Sequence, residues 1–201
     1  AMQQVCLQIG KTIIQAVVNT QGVSVMAAFT AVNRVDDFAY IPQQNIGHAM
    51  TTFIAQNKGA GKKERIRRGF QSGIGIELVY GLILLVLMYF GAEKIMGLFT
   101  SQEDAQVVAL GRSYLHLVSW MYILPAITNG IQGFFRGMGD LKVTLYSTFM
   151  NMAGRVLAVI VMFLVFHLGF VSLAWANLIG WIMMLLFEIP LLMRQLKELR
   201  K

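Results

Sequence analysis

The chain has 201 residues, of which 56% are hydrophobic and 13% charged, with one cysteine and a formal net charge of +7. A soluble domain carries about a quarter charged residues, so this composition excludes a disordered tail, a coiled coil and a disulfide-stapled secreted module. With a mean hydropathy of +0.60 and charges segregated around stretches of about 20 residues, the bilayer-crossing length of a helix, it reads as an all-α integral membrane protein.

Residues Ala1-Met2-Gln3-Gln4 offer neither a basic n-region nor a cleavage site, so the start is not a signal peptide and reads as the interior of a longer chain. Six transmembrane helices are expected in one domain, residues 1–201, at about 3–20, 26–57, 70–92, 109–134, 143–167 and 170–192. The loops are short, so neighbours should run antiparallel.

In the first span Gln4, Gln8, Lys11, Gln15 and Asn19 recur every three or four residues and share one helix face. Two readings stand: a face toward a water-filled cavity, or buried hydrogen bonding between helices. Cys6, in the same helix, reads as a small buried apolar residue. The second span carries Asn33, Asp37, Gln44 and His48 near one stripe, with Arg34 three residues before Asp37. Arg34 and Asp37 suit an ion pair on one face, and Asp36 points about 100° away. Asp37 is thus either a structural partner of Arg34 or a carboxylate that titrates or binds a cation. Pro42 should kink or unwind this helix.

The third span holds Glu77, read as a partnered structural carboxylate, and Pro125 is expected to kink the fourth. The fifth holds Asn151 and, four residues on, Arg155. The sixth holds Asn177 and Glu188, the latter expected to snorkel toward the polar end. Small residues at helical spacing, Gly69 with Gly73 and Ala176 with Gly180, would permit close helix contact. Of the 13 methionines, most read as packing or lipid-facing residues, and a few suit an adaptable apolar pocket.

Basic residues in short loops set orientation. Twelve of the 17 lysines and arginines fall in the turn around 58–68, the turn at Arg136–Lys142 and the tail from Arg194. The opposite side has Lys94 and Arg112 beside Glu93, Glu103 and Asp104. The basic side, with both termini, is expected in the cytoplasm. The run at 58–68 lacks interleaved aromatics and lies between two spans, so it reads as a topology signal that anionic lipid can contact, not as a nucleic-acid patch. No HExxH, GxSxG or Walker pattern and no metal-spaced His/Cys cluster occurs, so neither an enzyme nor a cofactor is expected.

Two motifs point to a family. Phe53-Ile54-Ala55-Gln56-Asn57-Lys58-Gly59-Ala60-Gly61 followed by Glu64-Arg65, and preceded by Ala27-Ala28, Arg34 and Pro42, resembles a span-to-loop junction of the multidrug and toxic compound extrusion (MATE) transporters. Gly133-Phe134-Phe135-Arg136-Gly137-Met138-Gly139-Asp140, ahead of the helix with Arg155, resembles that family's RGxGD cytoplasmic turn. The resemblance implies half of a twelve-helix, two-lobe transporter, with this chain as its second lobe. It implies export of amphipathic or cationic small molecules across the cell membrane in exchange for a proton or sodium, and a partner in the missing first lobe or a second copy of the chain. Some members carry acids in the helices matching the first and fourth spans. Here those places hold glutamines and no acid. The coupling acid of other members lies in a first helix that this chain lacks. The candidate cavity residues are Gln4, Gln8, Gln15, Asn19, Asn33, Gln44, His48 and Asn151, and the coupling candidates are Asp37, Arg34 and Arg155. A lipid-linked saccharide flippase of the same superfamily and a non-transporting membrane assembly subunit are the alternatives.

Overall fold

The computed structural model describes residues 2–99 and 105–199, apart from the side chain of Leu164. Glu103, Asp104, Arg200 and Lys201, used above to orient the chain, lie outside them. The described residues form seven α-helices: α1 Met2–Asn19, α2 Val23–Gly59, α3 Lys63–Phe99, α4 Ala105–Ser119, α5 Ile123–Gly137, α6 Leu141–Ile160 and α7 Ser172–Glu198. A 3₁₀ turn at Trp120–Tyr122 joins α4 to α5, and a π turn at Val161–Val165 follows α6. Four stretches are long and apolar enough to cross a membrane: Lys63–Phe99, Ala105–Gly137, Leu141–Phe163 and Ser172–Glu198. This is a multi-pass membrane protein. Its polar stripes keep α1 and α2 out of that set.

Pro42 and Pro125 act differently from one another. Helix α2 is continuous through Pro42, so the expected unwinding does not occur. One missing N–H is tolerated where neighbours supply other bonds, and here the Tyr80 hydroxyl donates to the Ala39 carbonyl (3.3 Å) and the Gln43 amide to the Tyr122 carbonyl (3.3 Å). Pro125 does break its span, but upstream of itself. Its ring would strike the carbonyl four residues back, at Met121, and the chain tightens into a 3₁₀ turn there. The fifth span ends earlier than expected, in the π turn and then His167 at φ 50°.

Both family-like motifs are helix endings of one design. Beyond α2, Gly61 (φ 68°) donates to the Lys58 carbonyl and Lys62 to the Asn57 carbonyl. Beyond α5, Gly139 (φ 78°) donates to the Arg136 carbonyl and Asp140 to the Phe135 carbonyl. These are Schellman caps, in which a left-handed residue reverses the chain and satisfies the last carbonyls, and glycine fits it without strain. The two caps meet: Lys58 Nζ donates to the Met138 carbonyl at 2.5 Å. Much of the basic run is therefore not loop. Lys63, Arg65, Arg67 and Arg68 form the first turns of α3, where Glu64 bridges Arg67 and Arg68 at 2.9 Å each. At the other end Arg112 pairs with Glu93 at 3.1 Å, tying α4 to α3.

Helix α2 is the centre of the bundle and packs on α3, α4 and α5, while α6 pairs with α7 and α1 leans on α6. The approach of α2 to α5 depends on glycine: a Cβ at Gly133 would stand 2.6 Å from the Gly47 carbonyl oxygen. Gly69 and Gly73 of α3 lie under Phe53 and Met50 of α2, and Gly180 of α7 lies under Arg155 of α6. One apolar core gathers around Tyr114, Leu115, Met121 and Tyr122, and a second around Ile54, Ile66, Phe134 and Phe135 toward the basic end.

Candidate functional site

Helix α1 buries only a narrow seam, Gly10, Ile14 and Val18. To one side Val5, Ile9 and Ile13 are exposed. To the other Gln4, Gln8, Lys11 and Asn19 are exposed, with Gln15 half-buried. Within this chain the polar stripe is thus an open wall, and Gln15 Nε2 donates along it to Asn19 Oδ1 at 2.7 Å. Arg34, Asp37, Gln44 and His48 of α2 are also exposed, and Asn33 is half-buried. The expected Arg34–Asp37 pair does not form. Asp37 instead meets Lys11 across the helix–helix gap, Nζ to Oδ1 at 3.6 Å, with both side chains more than half exposed. Arg34 turns into a cleft of about 540 Å³ between α1, α2 and the facing ends of α3 and α4, together with Gln15, Asn19 and Thr30. Antiparallel register produces this: Lys11 stands opposite Asp37, so residues toward Asn19 stand opposite those toward Thr30.

Of the two adjacent acids of α2, Asp36 is the one that points into the bundle. It is 8% exposed, and the Tyr122 hydroxyl donates to its Oδ1 at 2.5 Å. Asn177 Nδ2 of α7 donates to the Tyr114 hydroxyl of α4 at 2.6 Å, and that hydroxyl neighbours Asp36 in turn. The Tyr40 ring lies against those of Tyr122 (5.6 Å between centroids) and Trp181 (6.3 Å). Arg155 and Lys11 are the cations near Asp36. Arg155 is half-buried, its stem over Gly180, and its buried Nε has no hydrogen-bond partner. One carboxylate thus joins the 3₁₀ turn by a hydrogen bond and neighbours groups on α4 and α6. Such a group couples a change of charge to helix packing. Asn151 is buried beside Gly180, in the seam between α6 and α7, away from the open wall.

A second polar layer lies toward the basic end. Gln3 Nε2 of α1 reaches Thr148 Oγ1 of α6 (2.8 Å) and Gln132 Oε1 of α5 (3.2 Å). Glu188 does not snorkel. It is fully buried near Ser147, Gln132 and Arg136, because α7 continues ten residues beyond it and turns it into the bundle. Glu77 is also fully buried, and neither of its oxygens has a hydrogen-bond partner, so it is not the partnered carboxylate expected. Among the described residues no three His, Cys, Asp or Glu side chains gather as a metal site. Sequence reasoning missed Asp36, Tyr122, Gln3 and Gln132. Adjacent Asp36 and Asp37 signalled that one acid must point inward, but the pattern could not say which.

The MatE family model matches residues 1–157. The chain belongs to the MatE family. This family is one of transporters, not of enzymes. The MatE chain is 28% identical over 174 residues to the probable multidrug resistance protein NorM of Rhizobium meliloti, covering 82% of this chain and 36% of that protein. It is 24% identical over 141 residues to the probable multidrug resistance protein YoeA of Bacillus subtilis, covering 70% and 30%. It therefore spans about a third of the length of these curated relatives. Among solved structures, a MATE in complex with MaL6 superposes with a TM-score of 0.90 at 19% identity, over 99% of this chain and 45% of that one. An outward-facing MATE family transporter of the MOP superfamily gives 0.86 at 18% identity, over 96% and 43%. The fold of this MatE chain is that of somewhat under half of such a transporter.

Proposed function

We propose that this chain is the second, C-terminal six-helix lobe of a twelve-helix transporter of the cell membrane. That transporter exports amphipathic or cationic small molecules in exchange for a proton or sodium. The observation that carries this reading is the uncovered polar wall of α1 and α2. A charged or strongly polar side chain in the middle of a bilayer costs about 2.5–3.5 kcal/mol. A wall with Lys11, Asp37, Arg34, Gln8 and Gln44 exposed must therefore be faced by protein and water. The opposite lobe, or a second copy of the chain, supplies that cover, and the cleft beside Gln15, Asn19 and Arg34 becomes part of the shared substrate cavity. Alternating access then follows from rocking of the two lobes around it.

Within this lobe the coupling acid is Asp36, not Asp37. Asp36 is buried and bound by Tyr122, with Arg155 behind it, so gain or loss of a proton or cation there changes the bonding between helices. Asp37, paired with Lys11 on the open wall, shapes the charge of the cavity. Both termini and the two glycine-capped turns lie in the cytoplasm on this reading, following the basic residues gathered there.

The test is export of a fluorescent organic cation from vesicles holding this chain together with its matching first half, under an imposed proton or sodium gradient. Export is expected only with both halves present, and Asp36→Asn should uncouple it from the gradient without removing the protein from the membrane. Gradient-driven export by a monomer of this chain alone would refute the two-lobe reading. Normal coupling in Asp36→Asn would refute the assignment of the acid.

A further inference from the structure

The transport reading does not use the groove between α2 and the first three turns of α3. It encloses about 590 Å³, with Ile46 and Phe53 on one wall, Gly69 and Ile76 on the other, and Arg65 and Arg68 at its mouth. The glycines of α3 let α2 pack closely along the groove, with the Phe53 ring directly over Gly69 and the Met50 sulfur over Gly73. From Arg65 to Ile76 it runs eleven residues of helix, about 16 Å, which is the depth of one hydrocarbon leaflet, about 15 Å.

Its chemistry is divided along that depth. The Arg65 guanidinium sits 6.0 Å above the Phe53 ring and has no carboxylate partner among the described residues. Arg68 gives its Nε to Glu64 at 2.9 Å, which leaves its two terminal nitrogens at the mouth. Below the arginines the walls are apolar apart from Ser72. Past Ile76 the slot continues into a stripe of exposed apolar residues at helical spacing on α3, Val79, Ile83, Val86 and Phe90. A planar guanidinium binds phosphate oxygens in pairs, and an apolar slot one leaflet deep and open to lipid fits an acyl chain.

We infer that this groove is a binding site for one anionic phospholipid, its phosphate on Arg65 and Arg68 and one acyl chain along Gly69 to Ile76. The inference rests on the protein being a multi-pass membrane protein and is independent of what it exports. Basic pockets between membrane helices bind acidic headgroups in this manner.

The intact protein would be reconstituted in phosphatidylcholine bilayers with or without phosphatidylglycerol and extracted into neutral detergent, and the retained lipid counted by native mass spectrometry. Phosphatidylglycerol should be retained in preference to phosphatidylcholine. The double variant Arg65→Gln with Arg68→Gln should lower its affinity about 30-fold, as expected for two lost cations at an acidic headgroup. Lys62→Gln with Lys63→Gln removes the same charge outside the groove and should change it less than about threefold. Ser72→Trp should expel the lipid by filling the slot with every charge kept. Both arginines are exposed, so their loss should leave helix content unchanged, which circular dichroism checks. Equal losses in the arginine and lysine variants would mean diffuse attraction and overturn the site. So would equal retention of phosphatidylcholine, lipid retained in Ser72→Trp, or displacement of phosphatidylglycerol by excess inorganic phosphate, which would assign the arginines to a free anion. Export is not measured, so failure of the transport reading leaves every one of these outcomes intact.

Discussion

Tyr122→Phe removes one atom, the hydroxyl oxygen that donates to Asp36 Oδ1 at 2.5 Å. The ring is fully buried and stacks on Tyr40, and phenylalanine keeps that packing, so no cavity opens. A hydrogen bond to an ionised acceptor contributes about 1.5–3 kcal/mol, and one between neutral groups about 0.5–1.5 kcal/mol. Asp36 is only 8% exposed, so water cannot replace the lost donor. The expected cost is therefore about 2 kcal/mol if Asp36 is ionised, falling toward about 1 kcal/mol if it is neutral. Asp36→Asn keeps an acceptor oxygen in place and is the natural partner in a double-mutant cycle. The two changes should couple by about 1 kcal/mol or more, since residues that share a bond are not additive. Unfolding of the four proteins in detergent, followed by circular dichroism at two pH values, gives all the terms. A Tyr122→Phe loss below about 0.5 kcal/mol, with additive effects in the double variant, would refute the argument that this bond ties α2 to the turn before α5.

The glycine caps give a second expectation: Gly61→Ala or Gly139→Ala forces a side chain into positive φ and should cost about 1–2 kcal/mol each. Gly59→Ala, with open space around its Cβ position, should be neutral or slightly stabilising in the same unfolding assay. In the assembled transporter, bulky substitutions at Gln8, Gln15 or Gln44 should lower drug export while the amount of inserted protein, measured by immunoblot of membranes, stays the same. Cysteines at Lys63, Met138 and Gln195 should react with membrane-impermeant reagents only from the cytoplasm and one at Glu93 only from outside; labelling of the first three from outside would reverse the orientation. Glu64, in the first turn of α3 and ahead of the span expected at 70–92, is held down to about 2 by hydrogen bonds from Arg67 and Arg68. A lowered carboxylate contributes fully above its unfolded value and loses that contribution as pH falls through its folded one. The cluster should stay paired at pH 5 and open only as the pH falls from about 4.5 toward about 2, read from the Glu64 side-chain carboxyl signal by NMR.

The class of this protein was legible in the sequence because membrane physics is written into composition. A bilayer demands long apolar helices with their backbone bonds closed, and few sequences meet that demand by accident. The segments Lys58-Gly59-Ala60-Gly61 and Arg136-Gly137-Met138-Gly139 carried the family resemblance, but their role as helix caps came from the structure, where Gly61 and Gly139 take the left-handed conformation. Periodicity gave α1 its polar face, since 3.6 residues per turn is a local property. It could not say whether that face was covered, which depends on what packs beside it. For the same reason it favoured Asp37 and Arg34 as a pair: they share a face of one helix, and nothing local revealed that Lys11 would stand opposite Asp37. Asp36 and Tyr122 are 86 residues apart, Gln3 and Thr148 are 145 apart, and only the tertiary packing of α2 along α5 and of α1 along α6, both parallel pairs, brings such groups within bonding distance. Glu188 was placed at the edge because the sixth span was expected to end near 192, yet α7 extends past it and folds it inward. Which side chain lies on which face follows from the chain's own geometry. Which face is buried, and against what, is a property of neighbours far away in sequence, and the tertiary structure alone decided it.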